Sequence, residues 1–158
     1  MRATVREEVT LPLPPGSAFE LITSEEAFLL FRGYGPIPGL RSVEVLEGDL
    51  RTVGSTARVT NTDGSTHRER VLEVEPGRRY AIRIHDISSP FGRMVDHIDE
   101  IWQLRKVRPG TAVERIFEFD LRSALFFPLS VPLAQILFRM AVRRNHRALV
   151  DLAEARGG

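Results

Sequence analysis

The sequence predicts an α+β fold: a curved seven-stranded antiparallel sheet with two short helices and one long C-terminal helix, arranged to enclose a cavity. Three observations predict it. Six strand-like runs follow one another between Val43 and Leu121, separated by turn signals such as Asp63-Gly64 and Pro76-Gly77. Two helix starts precede them: Ser17-Ala18-Phe19-Glu20 has the spacing of a capping box, and Ser24 is followed by Glu25 and Glu26. After the strands, Leu133, Leu137, Met140 or Ala141, Ala148 and Leu152 recur with the 3.6-residue period of a helix. A meander closed by one covering helix builds a cup.

Taken in order, Thr4 to Leu11 reads as a first strand, stopped by Pro12, Pro14, Pro15 and Gly16. A short helix runs from the Ser17 signal to about Ile22, and a second follows Ser24 with Phe28, Leu29 and Phe31 on its apolar side. Gly33 to Gly39 holds too much Gly and Pro for regular structure and reads as a loop that could cover a cavity mouth. The six remaining strands are expected at Leu40–Leu46, Ser55–Asn61, Thr66–Glu75, Arg79–Ile87, Val95–Lys106 and Thr111–Leu121. Pro132 suits the first turn of the last helix.

Composition sets bounds. A chain of 158 residues is expected to be a single domain, residues 1–158. Its 22 basic and 21 acidic residues nearly cancel, which gives no general attraction to nucleic acid. Without cysteine, thiol catalysis, disulfides and thiolate metal sites are excluded. The N-terminal residues lack an apolar signal region, and Ala124 to Phe138 is too short and too proline-interrupted to span a bilayer, so a cytoplasmic protein is expected. Arg139, Arg143, Arg144 and Arg147, with Phe126, Phe127, Leu129 and Val131 before them, could rest on a membrane surface. Because that helix must also cover the sheet, membrane docking is the less favoured reading.

Hairpin arithmetic assigns the inner face. A turn centred on Phe91 sets Tyr80 opposite Trp102, Ile82 opposite Glu100 and Ile84 opposite Ile98. A four-residue turn at Val107–Gly110 then opposes Leu104 to Val113, Trp102 to Arg115, Glu100 to Phe117 and Ile98 to Phe119. This set is mostly apolar, so it is taken as the cavity wall. A two-residue turn at Asp63-Gly64 pairs Val59 with Arg68 and Ala57 with Arg70. A three-residue turn at Pro76–Arg78 adds Arg70, Leu72 and Val74 to the inner face, whereas a two-residue turn would add Glu69, Val71 and Glu73. The first buries more carbon and is preferred. The expected ligand-binding wall is thus Arg70, Leu72, Tyr80, Ile82, Ile84, Ile98, Glu100, Trp102, Arg115, Phe117 and Phe119, closed by Leu133, Leu137, Met140 and Ala141 of the last helix. Three charges lie among these hydrophobes, Arg70, Glu100 and Arg115. They read as a satisfied ion pair, as charges at an open cavity mouth whose heads meet water, or as polar anchors that orient a ligand.

His85 and His97 fall on the opposite face near Asp96 and Asp99, where solvated polar side chains are ordinary, so no metal site and no cofactor are expected. His67 near a turn and His146 on the last helix read as surface or packing residues.

The layout resembles the helix-grip fold, and its details are similar to the START/polyketide-cyclase/pollen-allergen-like (SRPBCC) superfamily, in particular the polyketide cyclase/dehydrase-like branch. The residues that carry the likeness are Leu13 to Ile22, Ser42 to Gly48, Arg70 to Tyr80 and Gly110 to Val113. The resemblance covers the whole chain and implies an internal cavity for a small hydrophobic molecule. The expected partner is therefore an aromatic, polyketide-like or lipid ligand; a homodimer is left open. One alternative is a cyclase or dehydratase using the same cavity, with Glu100 or Tyr80 moving protons. Another is a structural or interaction module whose cavity is filled by its own side chains.

Overall fold

Residues 1–122 and 130–157 are described by a computed structural model of the chain. The strands are β1 (Arg2–Leu11), β2 (Gly33–Tyr34), β3 (Ile37–Pro38), β4 (Leu40–Glu47), β5 (Thr56–Asn61), β6 (Thr66–Glu75), β7 (Arg79–His85), β8 (Val95–Lys106) and β9 (Thr111–Leu121). The helices are α1 (Pro15–Ile22), α2 (Glu25–Leu29) and α3 (Ser130–Gly157), with a 3₁₀ turn at Pro90–Arg93. Seven strands form one antiparallel sheet in the order β1-β9-β8-β7-β6-β5-β4, which is the α+β helix-grip arrangement. β1 pairs with β9 from Arg2↔Asp120 to Leu11↔Thr111, so the first strand closes onto the last.

Local chemistry explains most boundaries. Helix α2 starts where expected, because the Ser24 hydroxyl accepts a hydrogen bond from the Ala27 amide at 3.2 Å. Helix α1 starts earlier than the capping-box spacing implies. Pro15 occupies the first helical position, where its fixed φ and missing N–H cost nothing, and Ser17 makes no cap. The Gly33–Gly39 segment is more ordered than the expected loop: Gly33 pairs with Pro38 and Tyr34 with Ile37 in a small hairpin, with Gly33 at φ +73°.

Two departures occur on β6, and together they decide its inner face. The turn before it has three residues, Thr62 to Gly64, not two. The Gly64 amide donates to the Asn61 carbonyl at 3.0 Å, and the Asn61 amide donates to the Ser65 carbonyl at 2.8 Å. Gly64 takes the left-handed φ of +85°, while the Asp63 carboxylate accepts from the Ser65 amide and hydroxyl. The register slips by one residue, setting Val59 opposite His67 and Ala57 opposite Glu69. Replacing Gly64 by Ala is expected to cost about 1–2 kcal/mol, read by urea denaturation, because a side chain is strained at that φ. A loss below a few tenths would contradict this turn.

The second departure is a bulge at Leu72. The turn at Pro76–Arg78 has the three-residue length expected, with Glu75↔Arg79 and Val74↔Tyr80 paired, but the pairing then jumps from Glu73↔Ala81 to Val71↔Ile82. The extra residue reverses the strand's parity. Glu69 and Val71 face inward, both nearly fully buried, while Arg70 and Leu72 face outward and are exposed. The inward direction expected for Arg70 and Leu72 is therefore corrected.

Helix α3 is also rotated from the expected face. Its buried residues are Ala141, Val142, Asn145, His146, Leu149 and Ala153, whereas Leu133 is 57% and Met140 39% exposed. The buried set keeps helical spacing, but Asn145 and His146 interrupt its apolar pattern and hid it. The core has two clusters: one around Leu11, Phe19, Tyr80, Trp102 and Leu149, the other around Val5, Phe31, Ile98, Phe117 and Phe119.

Candidate functional site

Between the sheet and α3 lies a cavity of about 490 Å³. Ile84, Ile98, Phe117 and Phe119 of the sheet, with Phe31 and Phe138, make its apolar wall. One end is formed by Pro36, Asp63 and Pro90, which are exposed, and the other by Trp102, Glu100, Arg115, Asn145 and Leu149, which are buried. The cavity therefore runs from a partly open, mostly apolar end to a closed end that carries polar groups.

The strand pairs expected for the wall all form: Tyr80↔Trp102, Ile82↔Glu100, Ile84↔Ile98, Trp102↔Arg115, Glu100↔Phe117, Ile98↔Phe119 and Leu104↔Val113. They place Glu100 and Arg115 as diagonal neighbours at the closed end. Arg115 Nε donates to Glu100 Oε1 at 2.6 Å, with both side chains over nine-tenths buried. Its Nη1 donates to Asn145 Oδ1 at 2.6 Å. The guanidinium also lies against three aromatic rings, 4.1 Å from the Trp102 centroid, 4.8 Å from Phe117 and 5.6 Å from Phe31. Burial pushes the Glu100 carboxyl above its usual range; the adjacent Arg115 charge opposes this, and Glu69 adds to it. Burial likewise lowers Arg115, opposed by Glu100.

A second polar group lines the cavity from β5 and β6. His67 Nε2 lies 3.1 Å from Glu69 Oε1, and His67 Nδ1 lies 3.3 Å from Asn61 Nδ2. An Asn NH₂ can only donate, so Nδ1 accepts and Nε2–H donates to the carboxylate. Asn61 Nδ2 also donates to Ser65 Oγ at 3.0 Å, which closes the chain of partners.

Eight of the residues expected on the wall line the cavity: Ile84, Ile98, Glu100, Trp102, Arg115, Phe117, Phe119 and Leu137. Tyr80 and Ile82 point inward but sit in the core beneath it. The Tyr80 hydroxyl donates to the Leu50 carbonyl at 2.6 Å, and burial, with Glu69 and Glu100, pushes the phenol far up, so it stays protonated. Ala141 packs in the second core cluster without reaching the cavity. Arg70 and Leu72 face away because of the bulge, and Leu133 and Met140 lie on the outer side of α3. Sequence reasoning missed His67, Glu69, Asn61, Asn145, Phe138 and Leu149. The last three are separated by seven and four residues, a helical spacing that could have marked one face. The first three depended on turn length and the bulge.

On the other face of the sheet, Arg83 holds Asp99 through two hydrogen bonds of 2.7 and 2.8 Å, and His97 Nδ1 lies 3.1 Å from Asp96. Among the described residues, no group of three or more His, Asp or Glu side chains is placed to hold a metal ion. Arg139 and Arg143 lie 3.6 and 3.1 Å from the Glu7 carboxylate, and Arg144 donates to the Gly33 carbonyl. Phe126, Phe127 and Leu129, the apolar half of the membrane-docking idea, lie outside the described residues. No described helix is long and apolar enough to cross a membrane.

Comparison with known proteins agrees with this geometry. No curated protein matches the chain in sequence. Among solved structures, it is similar to Ara h 8.0201, with TM-score 0.75 and 17% identity over 98% of this chain and 99% of that one. It is also similar to TTHA0849 from Thermus thermophilus, with TM-score 0.73 and 19% identity over 99% and 100% of the two chains. CV1439 from Chromobacterium violaceum follows with TM-score 0.64 and 18% identity over 96% of each. These likenesses establish the fold. The profile of the family described as "Polyketide cyclase / dehydrase and lipid transport" matches residues 2–154, and the chain belongs to that family, within the SRPBCC superfamily.

Proposed function

We propose that this protein binds a small, largely apolar molecule, aromatic, polyketide-like or lipid, in the cavity under α3. The observation that carries the reading is the cavity itself. Its volume of about 490 Å³ lies within the roughly 300–1,000 Å³ usual for ligand pockets, and its wall is apolar with few polar groups. Membership of a family that includes lipid transport supports the same reading. Binding is favoured over catalysis because the acid–base groups near the cavity already have partners. Glu100 holds Arg115, His67 bridges Asn61 and Glu69, and Tyr80 holds a backbone carbonyl.

Trp102 is the only tryptophan in the chain and lines the cavity, so its fluorescence reports occupancy. Titration with N-phenyl-1-naphthylamine, a neutral apolar fluorophore, is expected to quench Trp102 saturably at one probe per chain. Replacing Ile98, a buried wall residue, by Trp would fill the space. A folded Ile98→Trp variant is expected to bind the probe at least about tenfold more weakly. The second tryptophan supplies its own signal, so binding there is followed by probe emission. Native mass spectrometry after mild purification is expected to show an added small molecule. An unchanged probe affinity in the filled variant, together with an empty wild-type protein, would sink the reading.

A further inference from the structure

Helix α3 covers the sheet with only part of its apolar content. Ala141, Val142, Leu149 and Ala153 are buried in the core, and Ala134, Leu137 and Phe138 line the cavity. Leu133, Ile136 and Met140 do neither; they are 57%, 59% and 39% exposed. The sheet is covered without them, so the rotation of α3 leaves three large apolar side chains facing away from the core.

These side chains begin a longer stripe. Leu133, Ile136, Met140, Arg143 and Arg147 follow one another at steps of three, four, three and four, which keeps them on one side of a helix over about 20 Å. The stripe is apolar at its N-terminal end and basic at its C-terminal end. Arg139, Arg143, Arg144 and Arg147 all lie between Ser130 and Val150, a span without Asp or Glu. Arg139 and Arg143 share the single carboxylate of Glu7, while Arg144 and Arg147 have no carboxylate partner among the described residues. The surface is therefore locally positive on a chain whose net charge is only +1. The β2–β3 hairpin packs beside it, tied by the hydrogen bond from Arg144 Nη1 to the Gly33 carbonyl, and exposes Tyr34 and Pro36.

We infer that this face of α3, with the hairpin tip, docks on an anionic lipid surface. Leu133, Ile136 and Met140 enter the boundary between headgroups and acyl chains, and the arginines meet the lipid phosphates. A helix lying in that boundary needs an apolar stripe with basic side chains beside it, and each arginine adds an attraction that salt screens. A second copy of the chain fits this face poorly. In a two-fold dimer, an antiparallel crossing at Met140 sets Leu133 against Arg147, and a parallel one sets arginine against arginine; neither supplies an acidic partner. A nucleic acid would meet the arginines but leave the three apolar side chains without a role. Docking through α3 and the hairpin sets the bilayer against two elements that also line the cavity, through Ala134, Leu137 and Phe138 on one and Pro36 on the other. The docking itself does not depend on the ligand-binding function proposed above.

The test is co-sedimentation of the full chain, without added ligand, with phosphatidylcholine vesicles containing about one-quarter phosphatidylglycerol. Wild type is expected to bind them at about 50 mM NaCl, and at least about tenfold more weakly at about 500 mM NaCl or with phosphatidylcholine alone. Ile136→Asp is expected to weaken binding at least about tenfold, and Arg147→Gln about fivefold. Both positions are exposed, so the variants are expected to keep the wild-type circular dichroism. Insertion is read separately with Ile136→Trp. After subtraction of the wild-type Trp102 spectrum, its emission is expected to shift to the blue when the anionic vesicles are added. Absence of wild-type binding at low salt, equal binding by Ile136→Asp, or an unmoved Ile136→Trp emission overturns the inference. So does a wild-type dimer, seen by analytical ultracentrifugation without vesicle binding and abolished by Ile136→Asp, which would assign the face to a second copy. Because vesicle binding is read without ligand and Ile136 does not line the cavity, failure of docking leaves the cavity reading standing, and failure of probe binding leaves the docking face standing.

Discussion

Replacing Glu100 by Ala is expected to destabilise the protein by about 3–5 kcal/mol, among the largest effects of any single substitution. The substitution leaves Arg115 charged in a site where it is 6% exposed, with Asn145 and aromatic faces as its remaining partners. The pair itself is worth much less than its breakage, since two desolvation penalties offset the attraction. The Glu100→Leu/Arg115→Met double variant is therefore expected to recover more than half of the loss; the remainder reflects the Asn145 oxygen, which loses its donor. Urea denaturation of Glu100→Leu, Arg115→Met and the double variant measures the coupling. Additive losses would mean that the two side chains do not share one buried site. Arg70→Ala provides the contrast. An exposed arginine on the outer side of the bulge is expected to change stability by less than about 0.5 kcal/mol.

Acid is expected to unfold the protein through His146 before most carboxylates are protonated. Burial lowers its pKa from 6.5 to about 3, with the Arg115 charge adding to the shift. The neutral ring belongs to the folded state, so the unfolded chain binds the extra proton at intermediate pH. The stability associated with the neutral ring is complete above about pH 6.5 and is lost progressively as pH falls toward 3. At about 1.4 kcal/mol per pH unit, the loss between pH 6.5 and 4.5 is roughly 2–3 kcal/mol. Glu100 acts in the opposite sense. Its raised pKa gives a contribution present below the unfolded value of 4.5 and lost as pH rises through the folded value, so part of the His146 effect is masked in wild type. His146→Phe isolates the histidine. The difference in stability between the variant and wild type is expected to grow in the variant's favour as pH falls from 6.5 to 4.5. A difference independent of pH would show that the ring is not buried neutral.

Much of the architecture was readable from the chain itself. The strand set, the caps of α2, and the registers of β7, β8 and β9 follow from short-range chemistry: alternating side chains, turn dipeptides and one hydroxyl three residues from an amide. Those registers place Trp102, Glu100, Arg115, Phe117 and Phe119 along one wall, and the same residues line the cavity. Where the turn was misjudged by one residue, at Asp63-Gly64, the whole inner set of β6 changed, because side chains alternate with a period of two.

Three things were decided only by the tertiary structure. The Leu72 bulge turned Arg70 out and Glu69 in. A bulge is a compromise between neighbouring strands, and no pattern within β6 announces it. The rotation of α3 brought Asn145 and His146 inward. Their polarity argued for solvent until Arg115, thirty residues away in sequence, supplied a partner for Asn145. The closed end of the cavity joined side chains from β6, β8, β9 and α3 into one polar cluster. Sequence by itself determined which side chains alternate, where the chain turns, and hence that a sheet would present an apolar wall to a covering helix. It could not determine which buried polar atoms would find partners. That depends on distances of 2.6 Å set between elements far apart in the chain, and it is why Asn145 Nδ2 is left as a donor.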